Sequence, residues 1–297
     1  MEEEEYKHYI KAGKILGKVH QKARGMISPG MKLLEIAEKI EKEIIELEGK
    51  PAFPVNLSLN NSAAHYTPAF DEETTIEEKD LLKVDIGVHV EGFIADYAFT
   101  LDFSGKNEKL VEAAEKALEK AFEEIKVGAK IGGIGKTIEE TIHSYDFNPI
   151  QNLSGHGLSE YRAHYSPSIP NIGKKDEREI EEGKAYAIEP FACNGLGFVK
   201  EAPQTQIFEF NEVRPLRNLE ARKILDKVLE EYKTLPFAER WLVKEFGSIK
   251  TKIALRELLQ RECLSLHPIL REEKNVLVSQ AENSFIAKDK EIIKLVE

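Results

Sequence analysis

Residues Val84–Leu101 read VDIGVHVEGFIADYAFTL, and the fold turns on how this stretch is read. Val, Ile, Phe and Tyr favour strands, and the glycine beside Glu91 gives the backbone freedom a hairpin needs. The expected structure is two strands joined by a tight turn at Val90–Glu91–Gly92. Two aspartates interrupt the apolar pattern, and a buried carboxylate is costly unless it is paired or bound to metal. If His89 pairs with Gly92, Asp85 stands directly opposite Asp96, with Cβ atoms ~5 Å apart on one face. Adjacent carboxylates repel, so a shared proton, an arginine or a divalent cation is needed between them. Two aspartates facing solvent remain the plain alternative.

Outward from the hairpin, the chain alternates helical and extended patterns. Apolar spacing gives helices over residues 5–25 and 32–48, divided by Pro29–Gly30. Pro51–Pro68, PAFPVNLSLNNSAAHYTP, reads as loop with short extended pieces, and His65 stands within it. A lone histidine there most simply bonds locally. Further helices are expected over 107–126 and from about 134 to 145. Asn152–Gly157, NLSGHG, reads as a glycine-flanked loop around His156, with His164 following in YRAHYSP. Ala185–Phe191, AYAIEPF, reads as a strand carrying Glu189, ended by Pro190. Residues 212–274 are charge-dense with their own apolar stripes, the signature of a compact helical insertion. Asn275–Ala287 returns to strand with Glu282 in its middle.

The chain has 297 residues, 41% of them hydrophobic and 32% charged, which suits a soluble globular protein with a sizeable core. A net charge of −11 argues against nucleic acid as the main ligand, since phosphate binding needs clustered Lys and Arg. The two cysteines, Cys193 and Cys263, stand far apart and fit reduced thiols in a cytoplasmic protein. The N-terminal MEEEEYKHY has no apolar run, so neither a signal peptide nor a membrane association is expected.

Asp85, Asp96, Glu189 and Glu282 thus all fall in apolar, strand-like runs. Together with the glycine-flanked His156 they have the composition of a two-metal hydrolytic site. Oxygen-rich ligands with one imidazole suit Mn, Fe, Co or Zn. The same strings resemble a known family. AAHYTP around His65, KVDIG and GFIAD at the aspartates, NLSGHGL, YRAH, AIEPF and QAEN at Glu282 are similar in order and spacing to the methionine aminopeptidases, type 2, archaeal members above all.

That resemblance covers nearly the whole chain, and it implies an α/β (α+β) pita-bread fold. In it a curved, mostly antiparallel sheet carries outer helices and encloses two divalent metal ions. Residues 1–211 and 275–297 would form the catalytic domain, with 212–274 a helical insertion subdomain that supplies no metal ligand. By resemblance, Asp85, Asp96, His156, Glu189 and Glu282 bind the metals. Asp85 would chelate one ion, with Asp96 and Glu282 bridging. His65 and His164 would flank the substrate peptide, Glu189 would move the proton, and Phe53 would wall the pocket for methionine. The implied reaction removes the N-terminal methionine from nascent polypeptides, at the ribosome or after release, by attack of a metal-bridged water on the first peptide bond. A monomer in the cytoplasm is expected. A departure from the family is Asn283, where type 2 members often carry His. Competing readings are an aminopeptidase or dipeptidase that cuts before proline, or a non-catalytic binding protein of the same fold.

Overall fold

The strands Leu81–Val90 and Phe93–Asp102 form an antiparallel hairpin closed by only two residues, Glu91 and Gly92, at φ of 49° and 90°. This computed structural model describes residues 1–297 throughout. Positive φ at both turn positions is the two-residue turn whose twist matches that of the strands. The two-residue turn sits one position later than the pairing of His89 with Gly92 requires, so the register differs. His89 faces Ile94, Asp85 faces Ala98 and Asp96 faces Gly87. The slip is two residues, an even number, so both aspartates keep to the same face and become diagonal neighbours.

The hairpin lies within a nine-stranded sheet. Asn56–Leu59 and Lys50–Pro51 both pair with Leu81–Val90 on one side. On the other side Glu282–Lys288 pairs with Phe93–Asp102, followed by Ala185–Ile188, Ser154–Ser159 and Arg162–Pro170. All these pairings are antiparallel. The expected strand over 185–191 is broken into Ala185–Ile188 and Phe191–Cys193, with Glu189 and Pro190 between them. Proline has no N–H to give the ladder, so the chain leaves the sheet where the acid sits.

The NLSGHG segment is not a loop: Ser154–Ser159 is a strand with register irregularities around Gly157. Its glycines serve close strand contact. A Cβ on Gly155 would lie 2.4 Å from the Ala187 carbonyl oxygen, and one on Gly157 2.7 Å from that of Ser166.

Helices cover the sheet. α1 (Glu3–Met26) and α2 (Leu33–Glu46) bury the apolar residues of their 3.6-residue pattern, among them Leu16, Val19, Leu33, Ile36 and Ile40. Each large side chain so buried contributes ~1.5–3 kcal/mol. α3 (Glu108–Glu124) and α4 (Ile131–Ser144) close a second cluster with Ile188 and Phe285. None of the helices is long and apolar enough to cross a membrane.

A further unit packs around its own core of Ile224, Leu225, Leu242, Leu255 and Leu258. It comprises α5 (Leu219–Lys227), α6 (Glu239–Phe246), α7 (Ser248–Gln260) and a three-stranded sheet. In that sheet Ile207–Phe210 pairs with Phe237–Ala238 and Leu264–His267, so its first strand lies upstream of residue 212. Arg240 of α6 ties the unit down. Fully buried, it pairs with Glu41 of α2 and donates to Thr67 Oγ1 at 2.6 Å and the Pro68 carbonyl at 3.2 Å.

Candidate metal centre

Two rows across the sheet gather the acids. Asp85 and Glu282 reach Ala98 from opposite sides, and the small alanine between them leaves room above the sheet for both carboxylates. Beside them the Asp96 backbone N–H donates to Ser284 Oγ at 2.8 Å. His156 stands opposite Ala187, one strand further on. Glu189 enters from the break after Ile188. The His156 Nε2 atom is 3.9 Å from Asp96 Oδ2, 3.8 Å from Glu189 Oε1 and 4.0 Å from Glu282 Oε1. Five residues from separate parts of the chain therefore line one cavity.

The electrostatics select among the three possible charge partners. No lysine or arginine lines the cavity, which removes the arginine. Burial pushes the Asp85 carboxyl up to about 7, against hydrogen bonds from Gln280 and Asn56 that favour its charged form. Burial, and then the neighbouring carboxylates, hold Asp96, Glu189 and Glu282 well above the usual carboxylate range. Burial brings His156 down to about 4, so the imidazole is neutral and able to ligate. Asp85 Oδ1, Asp96 Oδ1 and Glu282 Oε1 are buried without any hydrogen-bond partner. An orphaned carboxylate oxygen in the interior costs several kcal/mol, and one shared proton cannot serve three of them. Oxygen and imidazole donors around a common point, with Asp96, His156 and Glu282 atoms within 4.8 Å of one another, fit divalent cation binding.

The other residues singled out in the sequence lie around this cluster. His65 follows Ser62–Ala64 at φ +62°. Its Nδ1 is 3.2 Å from the Pro268 carbonyl oxygen. A carbonyl only accepts, so Nδ1 carries the hydrogen. His164 sits at the open mouth, its ring 4.6 Å from that of His156 and 6.2 Å from that of His65. Burial and then the His267 charge lower His65 to about 4. His164, reached by solvent yet crowded by protein, is held well below the usual range by desolvation and by the other three imidazoles. Phe53 lines the cavity, its ring filling the space where Gly87 has no side chain. Asn283 turns away from the acids, and its amide donates to the Val296 carbonyl at 2.7 Å.

Several wall residues escaped the sequence reading. Gln280 reaches Glu189 Oε2 at 3.5 Å and Glu282 Oε2 at 3.4 Å. Ile207, Pro236 and His267 come from the insertion side. Gln280 had a signal, since it lies two residues before a strand acid and so on the same face; the other three had none. A far roomier cleft, about 1000 Å³ between α2 and the insertion, contains none of the ligand set, so chemistry and not size locates the site.

Residues 7–215 match the model of metallopeptidase family M24. Over 278 residues the chain is 49% identical to a methionine aminopeptidase of Thermococcus onnurineus, covering 93% of this chain and 94% of the relative. It is 48% identical to that of Pyrococcus abyssi, with 97% and 98% covered. Among solved structures, a thermophilic Arx1 superposes with a TM-score of 0.88 at 19% identity, covering 100% of this chain and 91% of the other. A methionine aminopeptidase from Thermotoga maritima gives 0.73 at 21% identity, covering 100% and 98%. These structural likenesses speak for the fold alone.

Proposed function

The chain belongs to metallopeptidase family M24 and, within it, to the methionine aminopeptidases, and on that premise we propose that Asp85, Asp96, His156, Glu189 and Glu282 together hold two divalent ions. The enzyme is a metal-dependent exopeptidase that removes the N-terminal methionine of its substrates. The observation that carries the ligand assignment is the set of three buried, unpartnered carboxylate oxygens around a neutral imidazole, with no basic residue near.

When bound, such ions supply Lewis acidity for the scissile carbonyl and for the attacking water. The chain's own groups do the rest. Glu189, which enters the site from the break in the sheet after Ile188, takes the proton released by water and passes it to the leaving nitrogen. His164, neutral at working pH, keeps one ring N–H to donate to the oxyanion. His65 accepts from the amide N–H of the leaving peptide. Phe53, Ile207 and Pro236 enclose the methionine side chain, and a Lys or Asp there would be buried without a partner. The substrates are chains beginning with methionine, which points to nascent polypeptides in the cytoplasm as their source.

The test is metal analysis with peptide cleavage. Chelated protein should be inactive on Met-Ala-Ser, regain turnover with two equivalents of divalent metal, and leave Ala-Pro intact. Asp96→Asn should bind less metal. One equivalent restoring full activity, with no second ion bound, would overturn the two-ion reading. His164→Ala should lose ~10²–10³ in kcat with metal content unchanged; metal loss in that variant would make His164 a ligand.

A further inference from the structure

One dipeptide of the insertion touches His65 from two sides. The Pro268 carbonyl takes the His65 Nδ1–H, and the adjacent His267 ring lies edge-on to His65 with centroids 5.6 Å apart. His267 is in turn held by Glu209. Its Nε2 is 2.6 Å from Glu209 Oε2, on side chains that are only 18% and 32% exposed.

The strand register builds this contact. Ile207 faces His267 and Glu209 faces Ser265, so Glu209 and His267 are diagonal neighbours on one face of the small sheet. That separation is within reach of a long carboxylate side chain. The remaining titratable neighbours of the His267 ring are His65 and His164, the latter stacked on it at 6.1 Å. Glu209 is therefore the one anion that touches the ring, and it is absent from the ligand set.

We propose that Glu209 and His267 are positioning residues for His65: the carboxylate anchors His267, and the His267–Pro268 step then fixes the His65 ring in the Nδ1–H form with Nε2 as the free acceptor. A histidine that must accept from a substrate N–H has to be unprotonated at the nitrogen that meets it, and the partner of the other nitrogen decides which one that is. A carboxylate on the supporting ring makes that support directional. The insertion thereby acts on the chemistry without touching metal or substrate through Glu209. This inference rests on the role given to His65 above.

The experiment reads the tautomer directly, independently of turnover. Nitrogen-15 NMR of the imidazoles in the zinc-loaded full chain, with His65 assigned through His65→Gln, should show a single Nδ1–H form in the wild type. Glu209→Ala should give a mixture of tautomers at His65 and about a ten-fold lower kcat on Met-Ala-Ser with KM little changed. Glu209→Gln keeps an acceptor for His267 Nε2–H and should restore both. His267→Phe fills the same space without the carboxylate contact and should behave like Glu209→Ala. Retention of the single Nδ1–H form in both Glu209→Ala and His267→Phe would overturn the proposal. Full activity of His65→Gln would instead remove the catalytic role of His65, while the tautomer measurement still decides whether Glu209 and His267 position it.

Discussion

At the scale of single residues, Phe53 and Gly87 show how the hairpin shapes the cavity beyond supplying ligands. A Cβ at position 87 would lie 2.3 Å from the Phe53 ring, well inside contact distance. Gly87 is also opposite Asp96, so space and ligand come from the same pair of facing residues. Gly87→Ala should push the ring into the methionine pocket. The expected result is KM for Met-Ala-Ser raised about ten-fold or more, from a pocket contact change of ~1–3 kcal/mol, with metal content near normal. Unchanged KM in a merely destabilised protein would show that Phe53 does not face the methionine. At this scale the acids were legible, because Asp85, Asp96 and Glu282 each interrupt an apolar run where only a bound partner makes a charge tolerable. His267 and Glu209 were not: LSLHPIL and IFEF are ordinary amphipathic strings, and their meaning comes only from where the insertion folds back.

At the scale of elements, alternation and helical periodicity placed α1 to α4 and the central hairpin within a few residues. What failed was local. The hairpin register depended on which two residues form the turn; moving the turn by one position slips the register by two and leaves every side chain on its face, so no periodicity decides it. Glycines in Ser154–Ser159 read as a loop, since a sequence does not tell a glycine that frees the backbone from one that lets strands approach. The seam between the insertion and α2 was equally hidden, because Arg240 and Glu41 look like surface charges on two unrelated helices. In the fold Arg240 is fully buried, and Trp241 Nε1 donates to the same Glu41 carboxylate at 2.9 Å. Removing one partner of a buried ion pair leaves the other uncompensated. Arg240→Ala should therefore cost ~3–5 kcal/mol in denaturant unfolding. Adding Glu41→Gln to it should recover part of that loss. Purely additive losses would mean that the two groups do not act as a pair.

At the scale of the whole molecule, stability should depend on pH through histidines that the fold keeps neutral. His89, near the hairpin turn, is 3% exposed and its Nδ1 accepts from the Gly92 N–H at 3.1 Å. Burial, and then the charges of Lys50 and Lys233, bring its pKa down to about 4. In the unfolded chain it returns to about 6.5. Between those values the unfolded state binds the extra proton, so acid favours unfolding. The contribution of a neutral His89 is thus complete above about pH 6.5 and is lost as pH falls towards about 4. A shift of that size corresponds to ~3 kcal/mol across the window. The metal centre titrates too, so wild type must be compared with His89→Gln under identical metal conditions, by urea unfolding at several pH values. The difference in unfolding free energy between the two should shrink, and then reverse in favour of the variant, as pH drops from 7 to 4. Gln cannot take up the proton, so a difference that stays constant over that range would mean that His89 is protonated in the fold at little cost, and that the turn is not held by a neutral imidazole.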